Sequence, residues 1–180
     1  IEYLHHIADS HYEEVVTDVP MIHEALNTSH KGSMPIRFYT DSFPLSKLYS
    51  IESKMEELFA KRVNLKSGAN LIIEYTEAMT VIDVNTAKCI TKKDKDSVIY
   101  KINLEAAQEI TRQLRLRNLS GIIIVDFINM ENEEYQAELI QELKKLLKQD
   151  SVPCNYVDIT GLGLVEITRK KVQKPVYEVL

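Results

Sequence analysis

The sequence predicts an α/β fold built on a mixed sheet flanked by helices. Strand-length apolar runs and amphipathic helical stretches follow one another in the order ββ-α-β-α-ββ over the last two thirds of the chain. Of the 180 residues 44% are apolar and 27% charged, with only 5 Gly and 5 Pro, which fits one globular unit or two small ones and excludes disordered and collagen-like chains. No repeat with a period of roughly 20 to 50 residues recurs, so a solenoid is excluded as well.

Taken in order, residues 12 to 17 read as a short strand, and Asp18 followed by Pro20 signals a helix running to about Asn27. Ile36 to Thr40 is a second strand. Leu45, Leu48, Ile51, Met55, Leu58 and Phe59 recur at helical spacing, which predicts one broken helix or two short ones over 44 to 60. Lys66-Ser-Gly-Ala69 is a turn, and the runs Asn70 to Thr76 and Thr80 to Thr86 are close enough to pair as a hairpin. The polar stretch 91 to 97 predicts an exposed loop. Asn103 is expected to cap a helix that carries Ala106, Ala107, Ile110 and Leu114 and ends near Asn118. Gly121 opens the strand Ile122 to Ile128, and a long amphipathic helix covers about Glu133 to Gln149. Asn155 to Ile159 and Leu162 to Arg169 close the sheet across a turn at Gly161 and Gly163.

The formal charge is -5, a poor footprint for a domain that holds nucleic acid by its overall field. Nucleic-acid contact is therefore expected to be local, with basic residues grouped at Arg112, Arg115 and Arg117 and at Arg169, Lys170 and Lys171. No apolar run approaches membrane-spanning length. Cys89 and Cys154 form no CxxC pair, which argues against a disulfide framework or a cysteine-rich zinc site and favours a reducing, cytoplasmic setting. The chain begins at Ile1 without a basic-then-apolar leader and reads as part of something longer.

Two carboxylates stand where solubility does not require them. Asp83 interrupts Thr-Val-Ile-Asp-Val-Asn and Asp126 interrupts Gly-Ile-Ile-Ile-Val-Asp-Phe-Ile. A charge inside an apolar strand is costly unless it is paired, hydrogen-bonded or metal-bound. Strand alternation puts Val81, Asp83 and Asn85 on one face, and two such strands side by side would converge two carboxylates on one point. That donor set suits Mg²⁺, which takes oxygen ligands and needs only one or two protein carboxylates. The competing reading is that each Asp ends its strand and is satisfied by backbone N–H groups or a nearby Arg. Glu74 and Glu166 are secondary candidates. His5, His6, His11, His23 and His30 show no HExxH or HxH spacing and read as surface or capping residues, and Gly161-Leu-Gly163 lacks the third glycine of a dinucleotide fingerprint.

A resemblance follows from longer stretches. Leu65-Lys-Ser-Gly68, Ile73-Glu-Tyr-Thr-Glu-Ala78, Thr80-Val-Ile-Asp-Val-Asn-Thr86, Asn103-Leu-Glu-Ala-Ala107, Gln113-Leu-Arg-Leu-Arg-Asn118, Gly121-Ile-Ile-Ile-Val-Asp-Phe-Ile128 and Gly163-Leu-Val-Glu-Ile-Thr-Arg-Lys170 closely resemble the catalytic region of the bacterial ribonuclease E/G family. Residues 1–61 are similar to part of its RNase H-like subdomain, most clearly at Arg37-Phe-Tyr-Thr-Asp-Ser-Phe-Pro-Leu45. Residues 62–180 are similar to its DNase I-like catalytic subdomain. Asn129 and Ser120 depart from the family pattern, which usually has Asp and Gly there.

The resemblance implies a Mg²⁺-dependent endoribonuclease that acts on single-stranded RNA in RNA processing and decay, leaving a 5′-phosphate and a 3′-hydroxyl. Asp83 and Asp126 match the metal-binding aspartates and Asn85 the supporting asparagine. Arg169 and Lys170 are the residues expected to touch phosphate. The family's OB-fold and 5′-end-sensing modules and its zinc-sharing cysteine pair have no counterpart in the sequence, so weak RNA binding is expected, and any homo-oligomer would form without shared zinc. The alternatives are a non-catalytic RNA-binding or assembly fragment that retains the fold, and a nucleotide-binding α/β domain using a crevice at the sheet end.

Overall fold

Alternation of buried and open side chains along six strands builds the sheet that dominates the protein. The computed structural model describes residues 13–29, 34–86 and 95–178. The chain divides into two units, Ile1–Glu56 and Glu57–Leu180.

In the first unit, β1 (Val15–Thr17) and β2 (Ile36–Phe38) pair in parallel, with α1 (Pro20–Ser29) between them in the chain. The backbone N–H of Val19 donates to Thr17 Oγ1 at the entry to α1. Leu26, Tyr39 and Leu45 are buried, and the Tyr39 hydroxyl donates to the Phe43 carbonyl at 2.7 Å. The expected helical stretch is two helices, α2 (Leu45–Leu48) and α3 (Ile51–Phe59), separated where Ser50 adopts φ 51°. A non-glycine residue in the left-handed region interrupts the helical path and separates the two segments.

The second unit contains β3 (Arg62–Asn64), β4 (Asn70–Tyr75), β5 (Met79–Asn85), α4 (Lys95–Leu116), β6 (Gly121–Asp126), α5 (Glu133–Leu147), β7 (Cys154–Ile159) and β8 (Val165–Arg169). The sheet order is β3-β4-β5-β6-β8-β7, and its mixed α/β character is the one expected. β4 and β5 form the predicted antiparallel hairpin, β5 and β6 are parallel across the α4 connection, and β8 returns antiparallel to β6. Leu71, Ile73, Ile82, Val84, Ile123, Val125, Val165 and Ile167 project to one face. They pack there with Ala106, Ala107, Ile110 and Leu114 of α4 and Leu139, Leu143 and Leu147 of α5. Burying branched apolar side chains between a sheet and two helices contributes roughly 1.5 to 3 kcal/mol for each large residue fully removed from water.

Three expectations need correction. α4 starts at Lys95, so Asn103 is in its interior and caps nothing; the part of the expected loop at 91–94 lies outside the described residues. β3 was not expected, because three residues, Arg-Val-Asn, are too few to show a period. A 3₁₀ turn at Val176–Glu178 also escaped the pattern; Val176 N–H donates to the Arg117 carbonyl there, and the Tyr177 ring stacks on Tyr75 at 4.4 Å.

Candidate active site

The face of the sheet turned away from the helices carries the two aspartates. β5 alternates Thr80, Ile82 and Val84 toward the core with Met79, Val81, Asp83 and Asn85 on the other side. β6 alternates Ile123 and Val125 inward with Ile122, Ile124 and Asp126 outward. The parallel register pairs Val81 with Ile124 and Asp83 with Asp126. Paired positions on neighbouring strands present side chains to the same face, with the strands about 4.8 Å apart. The two carboxylates therefore stand side by side at the carboxyl ends of the only parallel pair in this sheet.

Asp126 is exposed and Asp83 half-buried. Asn85 Nδ2 donates to Asp83 Oδ2 at 2.5 Å, which orients that carboxylate; among the described residues its second oxygen has no hydrogen-bond donor. Among the described residues neither aspartate has a Lys or Arg partner. Two adjacent anions without a cation repel one another, and an oxygen-only donor set open to solvent on one side fits a hard divalent ion that keeps waters of its own. No third carboxylate, His or Cys joins them among the described residues. Glu74 lies opposite Val81 and pairs with Lys61 at the surface, while Glu166 lies opposite Ile124, one alternation back along β6 from Asp126. His23 is on α1, with its ring 5.2 Å from Phe38 and in hydrogen-bond contact with Asn27. His5, His6, His11, His30 and Cys89 lie outside the described residues.

Arg169, expected to touch phosphate, has a buried side chain. Its side chain and that of Asp150 are each 3% exposed, and Arg169 Nε donates to Asp150 Oδ2 at 2.9 Å. Nη1 donates to Asn118 Oδ1 at 2.9 Å and to the Leu119 carbonyl at 3.1 Å. Releasing this guanidinium to meet RNA would leave Asp150 buried and unpaired. Its register partner is Gly121, five residues from Asp126, which places it about 16 Å along the strand from the carboxylates. Lys170 is exposed but sits at that same far end. Arg117 is interior too, donating to Gln113 Oε1, the Tyr75 hydroxyl and the Ala60 carbonyl.

Two asparagines belong to the neighbourhood and were missed. Asn103, fully buried, donates from Nδ2 to the Ile128 carbonyl at 2.8 Å and accepts from the Ile128 N–H at 3.1 Å. Its amide thus acts as a strand neighbour for the residue two positions beyond Asp126 and fixes how β6 leaves the sheet. Asp96 Oδ2 continues the restraint by accepting the N–H groups of Glu131 and Asn132. A helical register placing Asn103 on the same side as Ala106, Ala107 and Ile110 was the available signal, masked by the preference of Asn for helix caps. Asn70, 6% exposed, pairs in register with Asn64 on one side and Asn85 on the other. Its side chain has no hydrogen bond to the described residues, so the amide row Asn64, Asn70, Asn85 ends beside the carboxylates with unused capacity.

Comparison with known proteins bears on this arrangement. The family model described as "Ribonuclease E/G family" matches residues 1–172. Ribonuclease G of Escherichia coli (strain K12) is 37% identical over 182 aligned positions, covering 98% of this chain and 37% of that protein. Ribonuclease E of the same strain is 38% identical over 146 positions, covering 81% of this chain and 14% of that protein. Ribonuclease E of Nostoc sp. (strain PCC 7120) is 41% identical over 143 positions, covering 79% of this chain and 21% of that protein. The chain thus spans just over a third of the ribonuclease G it matches. With a family model matching nearly its whole length and relatives of this similarity, the chain belongs to the ribonuclease E/G family.

Proposed function

We propose that this chain carries the phosphodiester-cleaving centre of an endoribonuclease acting on single-stranded RNA with Mg²⁺ in the cytoplasm. On this reading residues 62–180 form the DNase I-like catalytic part and residues 1–61 part of the RNase H-like one. The observation that carries it is the side-by-side placement of half-buried Asp83 and exposed Asp126, with no Lys or Arg partner among the described residues. Family membership supplies the class of substrate, and the oxygen donor set suits the ion.

Asp83 and Asp126 would hold the ion and Asn85 would keep Asp83 turned toward it. Bound there, Mg²⁺ would supply an activated water and offset the charge that develops on the phosphate. Hydrolysis would break the P–O3′ bond as a water oxygen bonds to phosphorus and a water proton passes to the leaving 3′ oxygen, so the upstream fragment ends in a 3′-hydroxyl and the phosphate stays on the 5′ oxygen of the downstream fragment. The far-end position of Lys170 argues that it does not touch the scissile phosphate.

The test is cleavage of an end-labelled single-stranded RNA with and without Mg²⁺. Cleavage should require the ion, leave 5′-phosphate ends, and fall about 100-fold or more in Asp83→Asn and in Asp126→Asn. Equal cleavage by the parent and both variants would remove these residues from the centre. An inactive parent would favour the non-catalytic binding or assembly role.

A further inference from the structure

Immediately past Asp126 the chain turns around the end of β6 and lines a cleft of about 110 Å³. Its walls are apolar: Phe127, Met130, Leu139, Ile140, Ile159 and Val165. Two amides stand at its rim. Gln136 donates its Nε2 to the Met130 carbonyl at 2.6 Å, and among the described residues its Oε1 accepts no hydrogen bond. Asn129 is exposed, and among the described residues its side chain makes no hydrogen bond. A Cβ built on Gly163 would stand 3.9 Å from Asn129 Oδ1, which locates the free amide over the β7–β8 turn that forms the opposite lip. Gly163 has φ 84°, so the turn keeps that lip free of a side chain.

We infer that this cleft receives one nucleobase of the RNA, the base next to the phosphate held at Asp83 and Asp126, with Asn129 reading its edge. The inference rests on the catalytic reading for the phosphate but on the cleft itself for the base. Phe127 follows Asp126 directly and Val165 is opposite Val125, so the first wall residue of the cleft is the one after Asp126, their Cα atoms about 3.8 Å apart. Asp126 points to the open face and Phe127 to the helix side, so a phosphate on the open face and a base turned around the strand end would occupy the two at once. Only an unpaired nucleotide can splay its base this way. Apolar walls with few polar groups at the mouth suit a flat heterocycle, whose ring is buried while its edge stays hydrogen-bonded.

The chemistry of Asn129 makes the specificity testable. Its amide both donates and accepts, matching the N3–H and O4 of uracil or the N3 and N4–H of cytosine; a carboxylate in its place would only accept, matching the N1–H and N2–H pair of guanine. The first measurement is the NMR shift of the Asn129 side-chain amide during titration with uridine 5′-monophosphate, with ribose 5-phosphate as the control. A shift with the nucleotide and none with the sugar phosphate is expected, and Ile140→Phe, which fills the cleft, should weaken that binding about 10-fold. The second is the base preference next to the cut in a library of single-stranded RNAs. Asn129→Asp should move the guanine-to-uracil ratio about 10-fold toward guanine. Nucleotide-dependent shifts in a parent that does not cleave would uphold the subsite and remove the catalytic reading. Equal shifts with ribose 5-phosphate, or a cleaving parent whose base preference is the same in Asn129→Asp, would overturn the subsite and leave catalysis standing.

Discussion

The two ends of β6 use the same residue types in opposite ways. At its amino end Gly121 pairs with Arg169, and the guanidinium is locked to Asp150, Asn118 and Leu119 in the interior. At its carboxyl end Asp126 meets Asp83 in the open, with no basic partner among the described residues. The first is a buried pair in which each charge offsets the other's loss of water. The second is an unresolved accumulation of negative charge that a folded chain has no structural reason to keep. Burial with a partner accounts for the first charge structurally, and the proposed metal-binding role would account for the second.

Removing a partner from the packed end should have the largest effect on stability. Arg169→Ala is expected to cost about 3 to 5 kcal/mol in urea unfolding, because Asp150 would be left buried and unpaired. Arg169→Ala combined with Asp150→Ala should cost less than Arg169→Ala alone; an equal or greater cost would contradict the pairing argument. The restraint just beyond the open end sharpens the contrast. Asn103→Leu should cost about 1 to 3 kcal/mol by orphaning the N–H and carbonyl of Ile128, and should weaken Mg²⁺ binding measured by calorimetry on the folded variant. Unchanged ion affinity would show that the loop beyond Asp126 does not set the carboxylate position.

Cys154 is the register partner of Arg169 and belongs to the packed end. Burial, with the Asp150 charge adding to it, pushes its thiol from 9.0 to about 11. The folded state therefore holds this proton through a range in which the unfolded chain releases it. Its stabilising contribution is complete below about pH 9 and is lost as pH rises to about 11, at no more than about 1.4 kcal/mol per pH unit. Cys154→Val should remove that part of the alkaline slope in urea midpoints measured at pH 8, 9.5 and 11; parallel slopes in parent and variant would show that the thiol does not titrate with unfolding.

The smallest stability effect belongs to the open end. Asp126→Asn should leave the metal-free protein as stable as the parent or more stable by up to about 1 kcal/mol, because it removes one of two facing like charges. A thermal melt in chelator reads this directly, and a clear loss of stability would mean that Asp126 has a structural partner after all.

Local pattern determined much of this protein. Strand-length apolar runs located β4, β5, β6 and β8, the 3.6-residue period located α5, and charges interrupting Thr80–Thr86 and Gly121–Ile128 singled out Asp83 and Asp126. Those signals are legible because side-chain direction repeats along a single element. Tertiary structure decided which charges were already spoken for. Arg169 reads as a basic strand end, but its partners Asp150 and Asn118 lie 19 and 51 residues away. Asn103 reads as a helix cap, but it lies inside a helix that starts at Lys95, and its buried amide is satisfied by Ile128, 25 residues on. Asn129 stood out in sequence only as a departure from the family pattern and Asn70 not at all; a cleft and a neighbouring strand showed that their amides have no hydrogen bond among the described residues. The physical reason is common to all four: a polar side chain's role is set by what lies within about 3 Å of it, and folding, not sequence spacing, brings those atoms together.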